Sequence, residues 1–317
     1  QHNIELRDLA IQRGWKLNEY GLFDERTGRR LASRTEEEVY AALGLEWIPP
    51  ELREARSEIQ AARERRLPRL VRQEEGRGAV HVHTAWSDGH NTLEEMAQAA
   101  RASGYEYVVV TDHSPGLGVA SGLSPERVRQ QHRAIQELNA RLAPFVVLHG
   151  AEVNIRADGT VDYDDAILRE LDFVTVSVHG AMDQPEGRMT ERIVRALRHP
   201  YVDVLGHPTG RLLGRREPYA VDLERVLQVA AQEGVAVEVN GSPERLDLPD
   251  IWVRRAKELG VALVLTSDAH QVGGLGNMRY AVATARRGWA EAHDVLNTRS
   301  VDAFRQRLRR ARSAAPR

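Results

Sequence analysis

Between residues 79 and 267, short apolar runs alternate with amphipathic stretches of helical spacing. The runs are AVHVH (79–83), YVVVT (107–111), FVVLHG (145–150), FVTVSV (173–178), VDVLG (202–206), VAVEVN (235–240) and VALVLTS (261–267). Each is short, near-continuously apolar and rich in β-branched residues, the pattern of a strand covered on both faces. Between them Thr92–Ser103, Pro125–Leu142, Thr190–Leu197, Asp222–Gln232 and Pro249–Leu259 carry helical periodicity. The alternation predicts βα units around a mostly parallel sheet. Residues 1–72 show a different pattern, charged and helix-like, interrupted by NEYGLFDERTGRRL and stopped by WIPPELRE. They predict a small helical unit with one hairpin, in which Thr35 caps a helix and Glu38 stands at capping-box spacing. Tyr20, Leu22 and Phe23 are expected in the hairpin core. The chain is thus expected to form two domains, 1–72 and 73–317.

Composition narrows the chemistry. The chain of 317 residues has no cysteine, so any metal is held by imidazole and carboxylate, and the protein is expected in a reducing cytoplasm. No apolar run approaches the ~20 residues that span a bilayer, so no membrane partner is expected. The start, QHNIELRDLA, has neither a signal core nor an initiator methionine, and the chain reads as part of something longer. A net charge of -2 gives no overall field for nucleic acid, so local arginine clusters decide that point. They occur at Arg63, Arg65 and Arg66, at Arg211, Arg215 and Arg216, and from Arg305 to Arg317.

The residues just past the strands carry the chemistry. His81, His83 and Asp88 stand at the end of the first, Asp112 and His113 the second, Glu152 the third, His179 the fourth, His207 the fifth, and Asp268 and His270 the seventh. In an α/β barrel all C-terminal strand ends lie on one face, so these residues converge in one pocket. Six of the twelve histidines recur at this position, whereas His2, His90, His132, His149, His199 and His293 do not. Nine candidate ligands, namely His81, His83, Asp88, His113, Glu152, His179, His207, Asp268 and His270, exceed what one ion takes and fit two or three divalent metals such as manganese or zinc. Adjacent metals suit phosphoester hydrolysis. Glu152, His83 and Asp268 are the side chains expected to matter most for catalysis. Arg211, Arg215 and Arg216, with Asn240 and Arg245 after the sixth strand, are expected to face substrate, the plainer alternative for the first three being surface salt bridges. Ser114 and Gln271 are expected to orient ligands, and Trp86 and His90, which flank the first motif, to stack on or touch a nucleotide, a simple packing role being the equal alternative for Trp86.

The motifs HVHTAWSDG, TDHS, GAEVNI, SVH, GHPTGRLLGRR and TSDAH resemble those of the PHP (polymerase and histidinol phosphatase) family. The resemblance implies a distorted seven-stranded (β/α) barrel with a trinuclear metal centre. His81, His83, Glu152 and Asp268 would hold one ion, Glu152 would bridge to a second bound by His179 and His207, and Asp88, His113 and His270 would hold the third. Some family members have His in place of Asp88. HNIELRDLAIQRGWKLNEYGLF and EEEVYAALGLEWIPPELRE resemble the thumb subdomain of family X DNA polymerases, whose bacterial members join thumb to PHP domain in this order. The resemblance implies a metal-dependent phosphodiesterase, a 3′-5′ exonuclease module of a repair polymerase. Its partners would be DNA 3′ ends, gapped or damaged, and an upstream palm and fingers, and its location would be cytoplasmic and nucleoid-associated. A small-molecule phosphatase and a non-catalytic scaffold are the alternatives.

Overall fold

A computed structural model describes residues 1–117 and 120–308, and the basic tail beyond Leu308 lies outside the described residues. The chain divides into two compact units, Gln1–Arg69 and Leu70–Arg317. The division falls before the expected residue 72 because Leu70 bridges to Glu291 and the amide of Val71 donates to the Ala290 carbonyl, which commits both residues to the larger unit.

The first unit contains α1 (His2–Ile11), a three-stranded antiparallel sheet of β1 (Trp15–Asn18), β2 (Gly21–Asp24) and β3 (Arg30–Ala32), then α2 (Glu36–Ala42) and α3 (Glu58–Arg63). Thr35 caps α2 by accepting from the Glu38 amide, but Glu38 returns its carboxylate to the amide of Arg34, so only half of the capping box forms. Asn18 pairs with Gly21, leaving Glu19 and Tyr20 as a two-residue turn. Leu22 is buried, whereas Tyr20 is 74% exposed, because a turn residue has no neighbouring strand to cover it. The unit also buries His2, whose Nδ1–H donates to Glu58 at 2.6 Å while its Nε2 accepts from the Tyr40 hydroxyl at 2.8 Å.

The second unit alternates strand and helix throughout. Its elements are β4 (Gly78–Val82), α4 (Leu93–Ala102), β5 (Tyr107–Val110), α5 (Pro125–Leu142), β6 (Val146–Asn154), α6 (Asp165–Glu170), β7 (Phe173–Ser177), α7 (Glu186–Leu197), β8 (Val204–Leu205), α8 (Leu223–Glu233), β9 (Ala236–Asn240), α9 (Asp250–Glu258), β10 (Leu263–Thr266), α10 (Met278–Arg287) and α11 (Val301–Arg307). Among the described residues its seven strands form one parallel sheet in sequence order, β4 to β10. A parallel bridge between Val82 and Ala269 joins the two edges and closes the barrel. Closure removes the exposed strand edges that would otherwise template aggregation.

Three of the helix starts expected in the barrel carry side-chain caps, whereas α7 begins at Glu186, ahead of the expected Thr190. The side chains of Thr92, Ser124 and Asp222 cap α4, α5 and α8 by accepting from the amides of Glu95, Arg127 and Arg225. At the N-terminal ends of the strands, Phe304 of α11 packs on Tyr107 and Phe173, with ring centroids 5.2 and 5.8 Å away. Val80, Val109, Leu148 and Val264 join them in one apolar cluster. One end of the barrel is thereby filled, and the other is left to polar side chains.

Candidate metal centre

The polar end is built by strand termini that break regular geometry. The β4–β5 register shifts between Val80 and Val82, so His81 bulges out of the ladder with φ 62°. A bulge of this kind re-aims one side chain, here into the barrel mouth. Asp268 (φ 49°) and His207 (φ 21°) also adopt left-handed backbone, a conformation that costs a non-glycine residue roughly 1–3 kcal/mol and concentrates at functional sites. Glu152 lies within β6, which continues to Asn154, rather than after the strand as expected from the shorter apolar run.

All nine candidate ligands meet around Glu152, which is buried. Its two oxygens face different neighbours. Oε2 lies 3.2 Å from His81 Nε2, 3.6 Å from His83 Nε2 and 3.2 Å from His113 Nδ1. Oε1 lies 3.2 Å from His179 Nε2 and 2.8 Å from His207 Nε2. Beyond Oε2, Asp268 Oδ1 stands 3.4 Å from His83 Nε2 and 3.8 Å from His81 Nε2. Asp88 Oδ2 stands 3.5 Å from His113 Nε2 and 3.4 Å from His270 Nε2. Three groups result with ligand atoms close enough to hold an ion: His81, His83 and Asp268; His113, Glu152 and His179; and His83, Asp88, His113 and His270.

The ring nitrogens decide what the cluster is for. Among the described residues, His81 Nε2, both nitrogens of His83, His113 Nδ1 and His207 Nδ1 are buried without a hydrogen-bond partner. A buried polar atom left unpaired costs about 1–3 kcal/mol, so five such atoms within one cluster of imidazoles and carboxylates fit cations held among its side chains. Burial, reinforced by His270 and His113, pulls the His83 imidazole down to about 3, which keeps it in the neutral form that binds metal. Burial also pulls on His270, but Asp88 and Asp268 outweigh it and hold that imidazole at about 9. Burial pushes the Glu152 carboxyl up, and the surrounding histidines overturn that and hold it well below its usual range.

Several groups that orient the ligands carry no sequence signal of the strand-end kind. Glu238 sits inside β9, the strand taken to supply no ligand, and accepts from His81 Nδ1–H at 2.5 Å, from the Thr266 hydroxyl at 2.6 Å and from the His207 amide. A lone acid within VAVEVN is the mark that could have found it. Asn154 Oδ1 accepts from His179 Nδ1–H at 2.5 Å, fixing its Nε2 toward Glu152. Asp112 is buried and accepts from the Thr84 amide, the Thr84 and Ser87 hydroxyls and Gln131, which ties the loop bearing Asp88 to the strand end bearing His113. Second partners of this type fix ring orientation and tune basicity at metal sites.

A family profile for the DNA polymerase beta thumb matches residues 1–54, and the PHP domain profile matches residues 79–242, just over half the chain. The chain belongs to the PHP family. The PHP domain is a metal-dependent phosphoesterase fold. The "DNA polymerase/3'-5' exonuclease PolX" of Bacillus subtilis (strain 168) is 42% identical over 309 residues, which is 96% of this chain and 54% of that relative. The chain therefore spans about half the length of that relative, and its thumb-then-PHP order is that of a PolX-type region. A probable phosphatase of Thermoanaerobacter sp. (strain X514) is 31% identical over 234 residues, 69% of this chain and 89% of the relative. A solved histidinol phosphatase-type protein of Listeria monocytogenes shares the fold at a TM-score of 0.51 and 16% identity, over 63% of this chain and 97% of that one.

The PHP barrel treats the five expected substrate residues unequally. Arg211 donates to the backbone carbonyls of Arg245 and Leu246, and Arg215 lies 3.4 Å from Glu244, so both are spent on joining the loop after β8 to the loop after β9. Arg216 donates to the Gly210 carbonyl within its own loop. Asn240 is buried, donates to Asp268 at 3.0 Å and accepts from the Ser242 amide, so it orients a ligand and has no free edge for substrate. Arg245 differs: its Nε stands 3.4 Å from Asp268 Oδ2, and its Nη1 is buried with no hydrogen-bond partner among the described residues. Ser114 accepts from the Asn154 amide, holding the residue that orients His179, whereas Gln271 is exposed. Trp86 is half-buried against the core with Arg127 5.9 Å above its ring, and His90 is exposed.

Proposed function

We infer that the PHP barrel hydrolyses phosphodiester bonds at DNA 3′ ends, as the 3′-5′ exonuclease module of a family X repair polymerase. The observation that carries the hydrolytic reading is the set of unpaired, buried imidazole nitrogens around the divided carboxylate of Glu152. The all nitrogen and oxygen donor set suits two or three divalent ions, manganese or zinc. His81, His83, Glu152 and Asp268 would hold one, Glu152 with His179 and His207 a second, and Asp88, His113 and His270 the third. Bound there, such ions activate water and neutralise charge on the phosphoryl oxygens.

The chain's own residues then have definite tasks. Glu152, whose two oxygens face different imidazoles, would contribute to holding two of the ions. Glu238, Asn154 and Asn240 hold His81, His179 and Asp268 in orientation. Arg245 offers an unpaired N–H to a phosphate oxygen, and guanidinium suits that role. No serine or other side-chain nucleophile is required. DNA as substrate is supported by the thumb match and by the 42% identical relative. The polymerase partner would be a palm and fingers, and the setting cytoplasmic and nucleoid-associated. Among the described residues no helix is long and apolar enough to cross a membrane.

Protein purified without chelator should carry two to three equivalents of divalent metal by elemental analysis. With manganese it should release mononucleotides from the 3′ end of a 5′-labelled oligonucleotide, and a chelator should stop it. Release of phosphate from small monoesters with no action on DNA would replace this reading with the small-molecule phosphatase one, which the named phosphatase relatives favour.

A further inference from the structure

Beside His179 the mouth of the barrel continues into a groove that the metal centre does not use. It begins as a cavity of about 420 Å³ bounded by His179, Asn154, Gly180 and Ala181. Ala157 and Arg192 carry it into a second cavity of about 450 Å³ bounded by Arg188, Arg195 and Arg198. These three arginines lie on α7 and its C-terminal cap, at spacings that keep them on one side of the helix and spread them over about 15 Å of its axis. All three are exposed. Arg195 donates to the Asp158 carbonyl at 2.9 Å, with the Asp158 carboxylate 4.0 Å away. Arg188 and Arg198 have no side-chain partner among the described residues.

Arg192 lies beneath the groove and is 4% exposed. Its guanidinium donates to the backbone carbonyls of Arg156 (2.9 Å), Gly180 (3.0 Å), Ala181 (2.9 Å) and Ile155, and no carboxylate stands within ion-pair distance among the described residues. Buried charges are ordinarily paired. This one is solvated by carbonyl dipoles alone, so its net charge remains available to an anion above it. Four arginines against Asp158 and Glu191 bound the second cavity. In a chain whose net charge is -2, that excess is local.

We propose that this groove is the track for the sugar–phosphate backbone of single-stranded DNA whose scissile end sits at the metal centre. The proposal rests on the hydrolytic reading and says how the same substrate is held beyond the bond to be cut. The groove runs on from a ligand-type residue, two of its three exposed cations, Arg188 and Arg198, have no side-chain partner among the described residues, and arginine forks match phosphate oxygens bidentately. Contacts of this class position a strand without reading its sequence.

The test uses the full chain in chelator, so that binding is measured without cleavage. Fluorescence anisotropy of a labelled single-stranded 12-mer is followed across salt for the wild type, for Arg188→Glu/Arg198→Glu, and for the matched reversal Arg101→Glu/Arg133→Glu on other helices. The first double variant should bind at least ~10-fold more weakly and lose about 1.4 from its log–log salt slope, which is two phosphate contacts at about 0.7 each. The matched reversal should bind as the wild type does. Unchanged affinity and slope in the first variant, or an equal loss in both variants, would overturn the track. Hydrolysis of the p-nitrophenyl ester of thymidine 5′-monophosphate by the metal-loaded wild type is scored separately: its absence would sink the hydrolytic reading and leave the binding result to decide the track.

Discussion

Two regions of this molecule bury histidine, and they do so in opposite ways. In the thumb unit His2 is 4% exposed, and both ring nitrogens are satisfied, by Glu58 and by the Tyr40 hydroxyl. Glu58 in turn accepts from the amides of Ala55 and Arg56. That network is closed and has room for nothing more. In the barrel His81, His83, His113 and His207 are as deeply buried, yet each keeps at least one nitrogen unpaired. Burial therefore does not separate structural from functional histidine. Whether the polar atoms are satisfied does, because a protein rarely leaves such atoms orphaned without a ligand to complete them.

The sharpest way to break this contrast is Glu152→Gln, which keeps the shape and removes the charge shared by both sides of the cluster. Hydrolysis of DNA ends should fall by at least ~100-fold, equivalent to about 2.7 kcal/mol of transition-state stabilisation, and metal content should fall with it while circular dichroism is unchanged. Wild-type turnover in manganese would mean that the unpaired nitrogens have no catalytic meaning. On the other side, His2→Ala should leave hydrolysis untouched and destabilise the thumb unit by about 2 kcal/mol, since it strands a buried carboxylate and hydroxyl. Acid sharpens the same point. Burial pushes the Glu58 carboxyl up, but His2 and the nearby amides outweigh it and hold it below its ordinary value of 4.5. The stability this group contributes is thus complete above pH 4.5 and is lost as pH falls through the lower folded value. A thumb transition in His2→Ala that lost as much stability on acidification as the wild type would contradict the network.

The contrast also explains what the sequence made legible. The strands announced themselves because a closed parallel barrel needs continuous apolar runs, and the candidate ligands because most stand at or just past the end of such a run. His2 gave no such signal, since its partners lie 38 and 56 residues away. Glu238 was hidden for the opposite reason: it lies within a strand, and only closure of the barrel brings it to His81. The arginines after His207, expected to face substrate, have mainly backbone carbonyls as partners, which sequence pattern does not reveal. Arg192 is a similar case.

The difference between Arg245 and the loop arginines yields a smaller test. Arg245→Gln removes the one guanidinium beside Asp268 that keeps a buried unpaired N–H. It should raise KM for DNA about 10-fold, or ~1.4 kcal/mol, with metal content retained. Arg215→Gln, which gives up only a surface pair with Glu244, should change KM less than about twofold, because exposed pairs contribute at most ~1 kcal/mol to stability and nothing to substrate. Equal effects of the two would return the loop arginines to the substrate side.

The smallest effect is expected from a third histidine environment, which is satisfied like that of His2 but lies in the barrel. His132 and His149 face each other through Nδ1 atoms 3.3 Å apart, His149 Nε2 meets Gln131 Oε1 at 3.1 Å, and Gln131 donates to Asp112. One set of tautomers satisfies the whole chain: Gln136 donates to His132 Nε2, His132 Nδ1–H donates to His149 Nδ1, and His149 Nε2–H donates to Gln131. No nitrogen in the pair is orphaned, so by the same criterion the pair is structural although it leads to the loop bearing Asp88. His132 is half-buried, so water can replace its ring in His132→Ala, and stability should change by less than about 1 kcal/mol with hydrolysis within twofold. Burial, with His132 second, pulls the His149 imidazole down to about 3 from its ordinary 6.5. Between those values the unfolded chain binds a proton that the folded chain refuses, so this site loses stability as pH falls. Removing His132 takes away the smaller cause, so the variant should part from the wild type only as pH falls toward about 3, where it should lose slightly less stability. A large loss of hydrolysis in His132→Ala would show instead that a fully satisfied histidine pair can govern the metal centre from outside it, and satisfaction of ring nitrogens would no longer separate the two kinds of site.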